Sequence, residues 1–182
     1  METTRQKLPE NITQFFKELS EYLDTRLYYY GSVQRHDYFP GSSDIDVDIF
    51  TENKEETISK MQHFLHMKRS EFKRFVWRLN HNNKVAYGYK VMYKNPEEKF
   101  SAEFSIYEDK VKKDILHEHN AKTVVPFYIS WLLVILKVLY YQLCFMDKST
   151  FQYLKKKLLT NGIGLPDDEF HVIDKKLKKD EM

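Results

Sequence analysis

Asp44, Asp46 and Asp48 alternate with Ile45, Val47 and Ile49 in one short run. In an extended strand successive side chains point to opposite faces. The three carboxylates therefore share one side and the three branched apolar residues the other. Like charges at that spacing repel, and partial burial sharpens the repulsion. A divalent cation relieves it. Carboxylate oxygens are the hard ligands that Mg2+ or Mn2+ accepts, and Mg2+ completes its shell with water and substrate phosphates. Two such ions can activate an attacking hydroxyl and neutralise a departing pyrophosphate. A solvated acidic face on an edge strand gives the same pattern, so the acids alone do not decide.

The second component is Gly31-Ser32, at the end of the apolar-aromatic run Leu27 to Tyr30. A glycine there lets the backbone approach a ligand closely. Backbone N–H groups together with a serine hydroxyl can cradle phosphate oxygens. Eleven residues, 33 to 43, separate Ser32 from Asp44. The order of apolar strand, Gly-Ser, about a dozen residues and two acids alternating with apolar residues resembles the signature of the DNA polymerase β-like nucleotidyltransferase superfamily. Ser43-Asp44-Ile45-Asp46 is similar to the form found in minimal nucleotidyltransferases and in uridylyl- and poly(A)-adding enzymes.

That resemblance implies roles. Gly31 and Ser32 hold a nucleoside triphosphate, and Asp44 and Asp46 ligate the metals. A third carboxylate on a later strand binds the catalytic metal and helps deprotonate the acceptor, and Glu103 occupies that place. Many relatives carry Asp there, so Glu103 departs from the usual pattern. Asp48 offers a second register, with Asp46 and Asp48 as the pair. The first register is preferred, because Asp48 lies ~13 Å further along the strand than Asp44, away from the Gly-Ser loop. Arg35 matches a position where relatives place a basic residue near the phosphates, although an exposed loop arginine reads equally well. Lys137 sits inside the apolar run Leu132 to Tyr141, similar to a helix of poly(A)-polymerase-like relatives whose lysine reaches the triphosphate. The alternative for Lys137 is a structural ion pair or snorkelling.

The elements that must position these residues follow from periodicity. Residues 11 to 24 read as an amphipathic helix, with Asn11 as its cap. Leu27 to Tyr30 is a short strand, Gln34 to Ser43 is turn-rich around Pro40-Gly41, and Asp44 to Phe50 is a half-buried strand. Helical spacing returns at Ile58, Met61, Phe64 and Leu65. Three strand-like runs, Glu71 to Leu79, Lys84 to Tyr93 and Lys99 to Tyr107, are joined by turn material and predict hairpins. From Asp109 onward the pattern is helical, including a helix over Ser149 to Leu159 ending near Asn161-Gly162, and the tail beyond Phe170 is rich in lysine. The expected fold is a mixed α/β sheet, a nucleotidyltransferase palm over 1–119 flanked by helices, followed by a small helical subdomain over 120–182.

Composition narrows the classes. With 29 Lys+Arg against 27 Asp+Glu the net charge is +2, which neither demands nor excludes a nucleic-acid partner. The basic stretch Lys68, Arg69, Lys73, Arg74 and Arg78, interleaved with Phe72, Phe75 and Trp77, has the makings of a nucleic-acid track, but reads better as a solvated edge over buried aromatics. The single cysteine, Cys144, excludes an internal disulfide and reads as a buried small hydrophobe. None of the seven histidines has metal-ligand spacing, and Ser42 and Ser43 lack a partnered His and Asp. Val124 to Met146 is apolar enough to tempt a membrane reading, but Pro126, Lys137 and Gln142 argue for a core helix and no membrane partner. Residues 1 to 15 are polar, so an intracellular setting is expected. The function implied by the resemblance is metal-dependent transfer of a nucleoside monophosphate to an acceptor hydroxyl, on an RNA or DNA end or a protein. The rivals are a non-catalytic or antitoxin-like interaction module on the same fold and a minimal family X polymerase.

Overall fold

The computed structural model describes residues 1–163 and 169–173. The chain opens with helix α1 (Glu10–Leu23), which buries Ile12, Phe16, Leu19 and Leu23, a stripe spaced four, three and four. It begins one residue before the expected Asn11 cap, after Pro9, whose carbonyl accepts from the Thr13 N–H. Strand β1 (Leu27–Tyr30) passes through a short 3-10 turn, Gly31–Gln34, into a loop and then strand β2 (Ile45–Thr51). Helix α2 (Lys54–Leu65) follows, capped by the Asn53 side chain, which accepts from the Glu56 N–H. Strands β3 (Lys73–Arg78), β4 (Val85–Asn95) and β5 (Phe100–Glu108) complete the expected hairpins. Helices α3 (Lys112–Thr123), α4 (Phe127–Tyr141) and α5 (Lys148–Ile163) come next, then strand β6 (Glu169–Ile173).

The sheet has the order β1-β2-β5-β4-β3-β6. Strands β2 and β5 run parallel, and every other neighbouring pair is antiparallel. This mixed sheet with helices beside it is the expected fold class. Its larger core lies between one sheet face and helices α1 and α2, where Ile45, Val47, Ile49, Phe104 and Ile106 are fully buried. Each such side chain contributes about 1.5–3 kcal/mol through burial. A smaller core on the other face gathers Tyr28, Phe50, Phe75, Trp77 and Tyr107 with Ile115 of α3. The alternation read from β2 thus has its apolar side sealed by α1 and α2, and its acids on the side of α3.

Two local readings change. Strand β6 stands where only helices and a lysine-rich tail were expected; it covers β3, which is therefore not an edge. The tail beyond Ile173 lies outside the described residues. Cys144 is exposed rather than buried, because α4 stops at Tyr141 and the cysteine falls in the turn before α5 with φ of 51°. Among the described residues no single helix is long and apolar enough to cross a membrane. Only Asp109–Thr123 and Phe127–Tyr141 together reach that length and composition, and they are bent by 84°.

Candidate active site

Gly31 turns the chain at the end of β1 with φ of +70°, in the left-handed region that favours glycine. A Cβ there would fall 1.9 Å from Asp46 Oδ2. The glycine is thus required by the acid beside it, and the turn and the carboxylate touch directly. Gln34 anchors the turn from behind, donating to the carbonyls of Thr3 and Tyr29 and accepting from the Arg5 N–H. Gln6 donates to the Arg35 carbonyl, so residues 3–6 strap the Gly-Ser turn in place.

The acids meet at the adjoining strand ends. Asp46 is cross-strand neighbour to Tyr30 on one side and to Glu103 on the other. Asp44 stands just before the first paired residue of β2, where it accepts from the Ser101 hydroxyl. Burial pushes the Asp46 carboxyl up to about 7, with Glu103 and Asp44 adding repulsion that Lys155 and Lys90 only partly offset. Glu103 pairs with Lys90 of β4 at 2.7 Å. Tyr30 is held neutral well above the usual phenol range, first by burial and then by the charges of Asp48, Asp46 and Glu103.

Asp48 lies deeper and is fully buried. His119 of α3 comes within 2.9 Å of its Oδ2, an ion-pair distance but too bent for a hydrogen bond. The His119 ring stacks on Tyr30 with centroids 3.9 Å apart and leans on Trp77. Burial raises the Asp48 carboxyl, while His119 holds against it. Of the two registers, the structure gives Asp44 and Asp46 the mouth of the site and Asp48 a histidine.

The loop between Arg35 and Ser43 carries a feature the sequence reading missed. Asp37 is fully buried and accepts a two-pronged contact from Arg35, at 2.8 Å from Nε and 3.3 Å from Nη2. Lys137 of α4 reaches the same carboxylate at 3.0 Å, the Asp37 carbonyl, and Ser43 Oγ at 3.1 Å. Burial pushes the Asp37 carboxyl up, but Arg35 and then Lys137 outweigh it and leave it below the usual carboxylate value. Burial pulls the Lys137 ammonium down to about 8 against the attraction of Asp37. The three hydrogens of that ammonium have three protein oxygens to meet, the structural ion pair weighed for Lys137. Reaching a phosphate requires it to release one of them.

All seven residues singled out in the sequence, Gly31, Ser32, Arg35, Asp44, Asp46, Glu103 and Lys137, line one cavity of about 570 Å³. Lys90, Lys122, Lys155 and Lys156 add to its cationic walls, with α5 bringing Lys155 and Lys156. Three acids on neighbouring strand ends and six cations line the cavity, a charge pattern that suits a polyanion beside a cation. The carboxylates suit a divalent ion in type. Among the described residues, however, no three acidic, histidine or cysteine side chains already converge as a ligand set. Glu103 faces Lys90 and Asp44 faces Ser101 instead. Of the stretch 68–78, Trp77 is buried yet lines the cavity wall, next to His119. The rest lies elsewhere: Arg69 pairs with Glu55, Arg74 donates to the Tyr89 hydroxyl, and Phe72 and Phe75 are buried.

A search of curated proteins gives no match. A family model described as "Nucleotidyltransferase domain" matches residues 10–122, which run from the first residue of α1 almost to the end of α3 and include the Gly-Ser turn and all three acids. Since that match spans more than half of the chain, the acid-bearing sheet and its helices identify this protein as a member of the nucleotidyltransferase domain family.

Proposed function

We propose that this protein transfers a nucleoside monophosphate from a nucleoside triphosphate to an acceptor hydroxyl, with Asp44, Asp46 and Glu103 holding Mg2+ or Mn2+. The observation that carries this reading is the set of three neighbouring carboxylates on the wall of a cavity that six Lys and Arg side chains also line. Burial first, and then the neighbouring charges of Glu103 and Asp44, raise the Asp46 carboxyl, and a divalent cation is what such a donor set suits. When bound, the metal supplies charge neutralisation for the triphosphate and lowers the pKa of the acceptor hydroxyl.

The chain's own residues divide the rest. The Gly31-Ser32 turn, strapped by residues 3–6, receives the phosphates, and Lys155 and Lys156 face them with positive charge. Arg35 and Lys137 contribute charge through the Asp37 knot. Glu103 takes the acceptor's proton as the new phosphoester bond forms and the bond to the departing pyrophosphate breaks, and Lys90 stabilises its carboxylate. Preorganised cations cost no rearrangement at the moment of reaction, which is where such a site gains rate.

Incubation with each labelled nucleoside triphosphate, Mg2+ or Mn2+, and RNA, DNA and protein acceptors tests the proposal. Label transfer that disappears in the Asp44→Ala/Asp46→Ala double variant is the expected result, and it names the acceptor class. The tie between Glu103 and Lys90 favours one second reading, a nucleotide-binding module without turnover. A metal-dependent nucleotide shift in melting temperature with no transfer to any acceptor would select it.

A further inference from the structure

Helix α4 buries Ile129, Leu133, Leu136 and Lys137 against the chain and turns a second apolar stripe to solvent. Phe127 is 77% exposed, Tyr128 61%, Trp131 57% and Ile135 51%, with Leu132 and the preceding Val124 beside them. At ~150–250 Å² for a large aromatic side chain, this stripe presents on the order of 600–700 Å² of apolar surface. Monomeric proteins rarely leave that much in one patch.

The stripe is shaped for a helix. Tyr128, Trp131, Ile135 and Val138 recur at intervals of three, four and three, the spacing of a helix–helix seam. It is also neutral: Lys137 is the one charged residue between Phe127 and Tyr141, and it is buried. A face of one sign would repel its own twin, whereas an uncharged apolar face complements a copy of itself about a two-fold axis. The area is close to the ~800 Å² per partner of a standard interface.

We propose that α4 is a homodimer interface, with the Tyr128–Trp131–Ile135 seam of one copy packed along that of a second. This assignment is independent of the catalytic reading, since none of the seam residues lines the cavity. Val124, Phe127 and Leu132 form the rim.

Sedimentation equilibrium of the full chain over about a hundredfold concentration range tests it, because mass action must appear as a concentration-dependent mass. The wild type is expected to approach twice its 22.1 kDa mass and to dissociate on dilution. Trp131→Glu/Ile135→Glu is expected to remain monomeric, with the dissociation constant raised at least tenfold. Tyr87→Glu, at a 61% exposed aromatic on β4, is expected to dimerise as before. Acrylamide quenching reads the wild type directly: Trp77 is buried, so quenching reports on Trp131 and should fall as concentration rises. A wild-type monomer at every concentration, a dimer that survives the double charge substitution, or Trp131 quenching that ignores concentration would each overturn the proposal.

Discussion

Asp46 has the least comfortable setting of the site's carboxylates, half-buried between Glu103 and Asp44 and in contact with Gly31. Two predictions follow at this scale. Asp46→Asn should abolish label transfer and, without metal, raise the melting temperature, because a carboxylate strained by burial and by the charges of Glu103 and Asp44 is gone; added Mg2+ should narrow that gap. Calorimetry with and without the ion checks it, and an unchanged or lower melting temperature would contradict the account of Asp46's environment. Gly31→Ala should lower turnover by at least ~100-fold, because a Cβ 1.9 Å from Oδ2 must displace Asp46, and angstrom-scale misplacement costs about that much. A wild-type rate in that variant would show that the turn yields instead. Much of this scale was legible in the sequence: alternation and spacing are local and marked Gly31, Ser32, Asp44 and Asp46, the family resemblance added Arg35, Glu103 and Lys137, and all seven line one cavity. Asp37 was not legible. Its partner Lys137 lies a hundred residues away, and one acid in a polar loop carries no period.

At the scale of elements, two ties hold the helices to the site. The first runs from α4 to the loop before β2. Lys137→Met leaves Asp37 to Arg35 alone and should cost about 3 kcal/mol, the low end for breaking a buried pair, measured by urea unfolding. The second ties the β3–β4 turn to α3. His81 pairs with Glu118 at 2.9 Å and Asp114 at 3.3 Å, and Glu118 also accepts from the His81 backbone. The hydrogen bond to Glu118 and then that to Asp114 raise the His81 pKa against desolvation. A raised folded-state value means that this contribution is complete below the unfolded value of ~6.5 and is lost as pH rises through the higher folded value. Unfolding at pH 6 and pH 8 should therefore show a difference that His81→Ala removes; an equal pH dependence in the variant would show that His81 is not its source. The sequence revealed the strands and helices because their apolar periods are strong. It misjudged Cys144 because an apolar run does not announce where its helix stops, and β6 because five residues, Glu169–Ile173, hold too few periods to read.

For the whole molecule, one sheet separates the larger apolar core under α1 and α2 from the face that carries the acids and a smaller aromatic core, and α4 belongs to both the candidate site and the proposed dimer seam. Strand β6 has a consequence for how the chain reaches this arrangement. Its pairings with β3, such as Arg78 with Glu169 and Arg74 with Ile173, join positions more than ninety residues apart. The entropy of closing so long a loop must be met before its hydrogen bonds return anything, and non-local contacts of this kind slow folding. The β3–β6 ladder is therefore expected to close after the more local strand pairs. In pulsed hydrogen exchange its amides should gain protection after those of the β2–β5 and β4–β5 pairs.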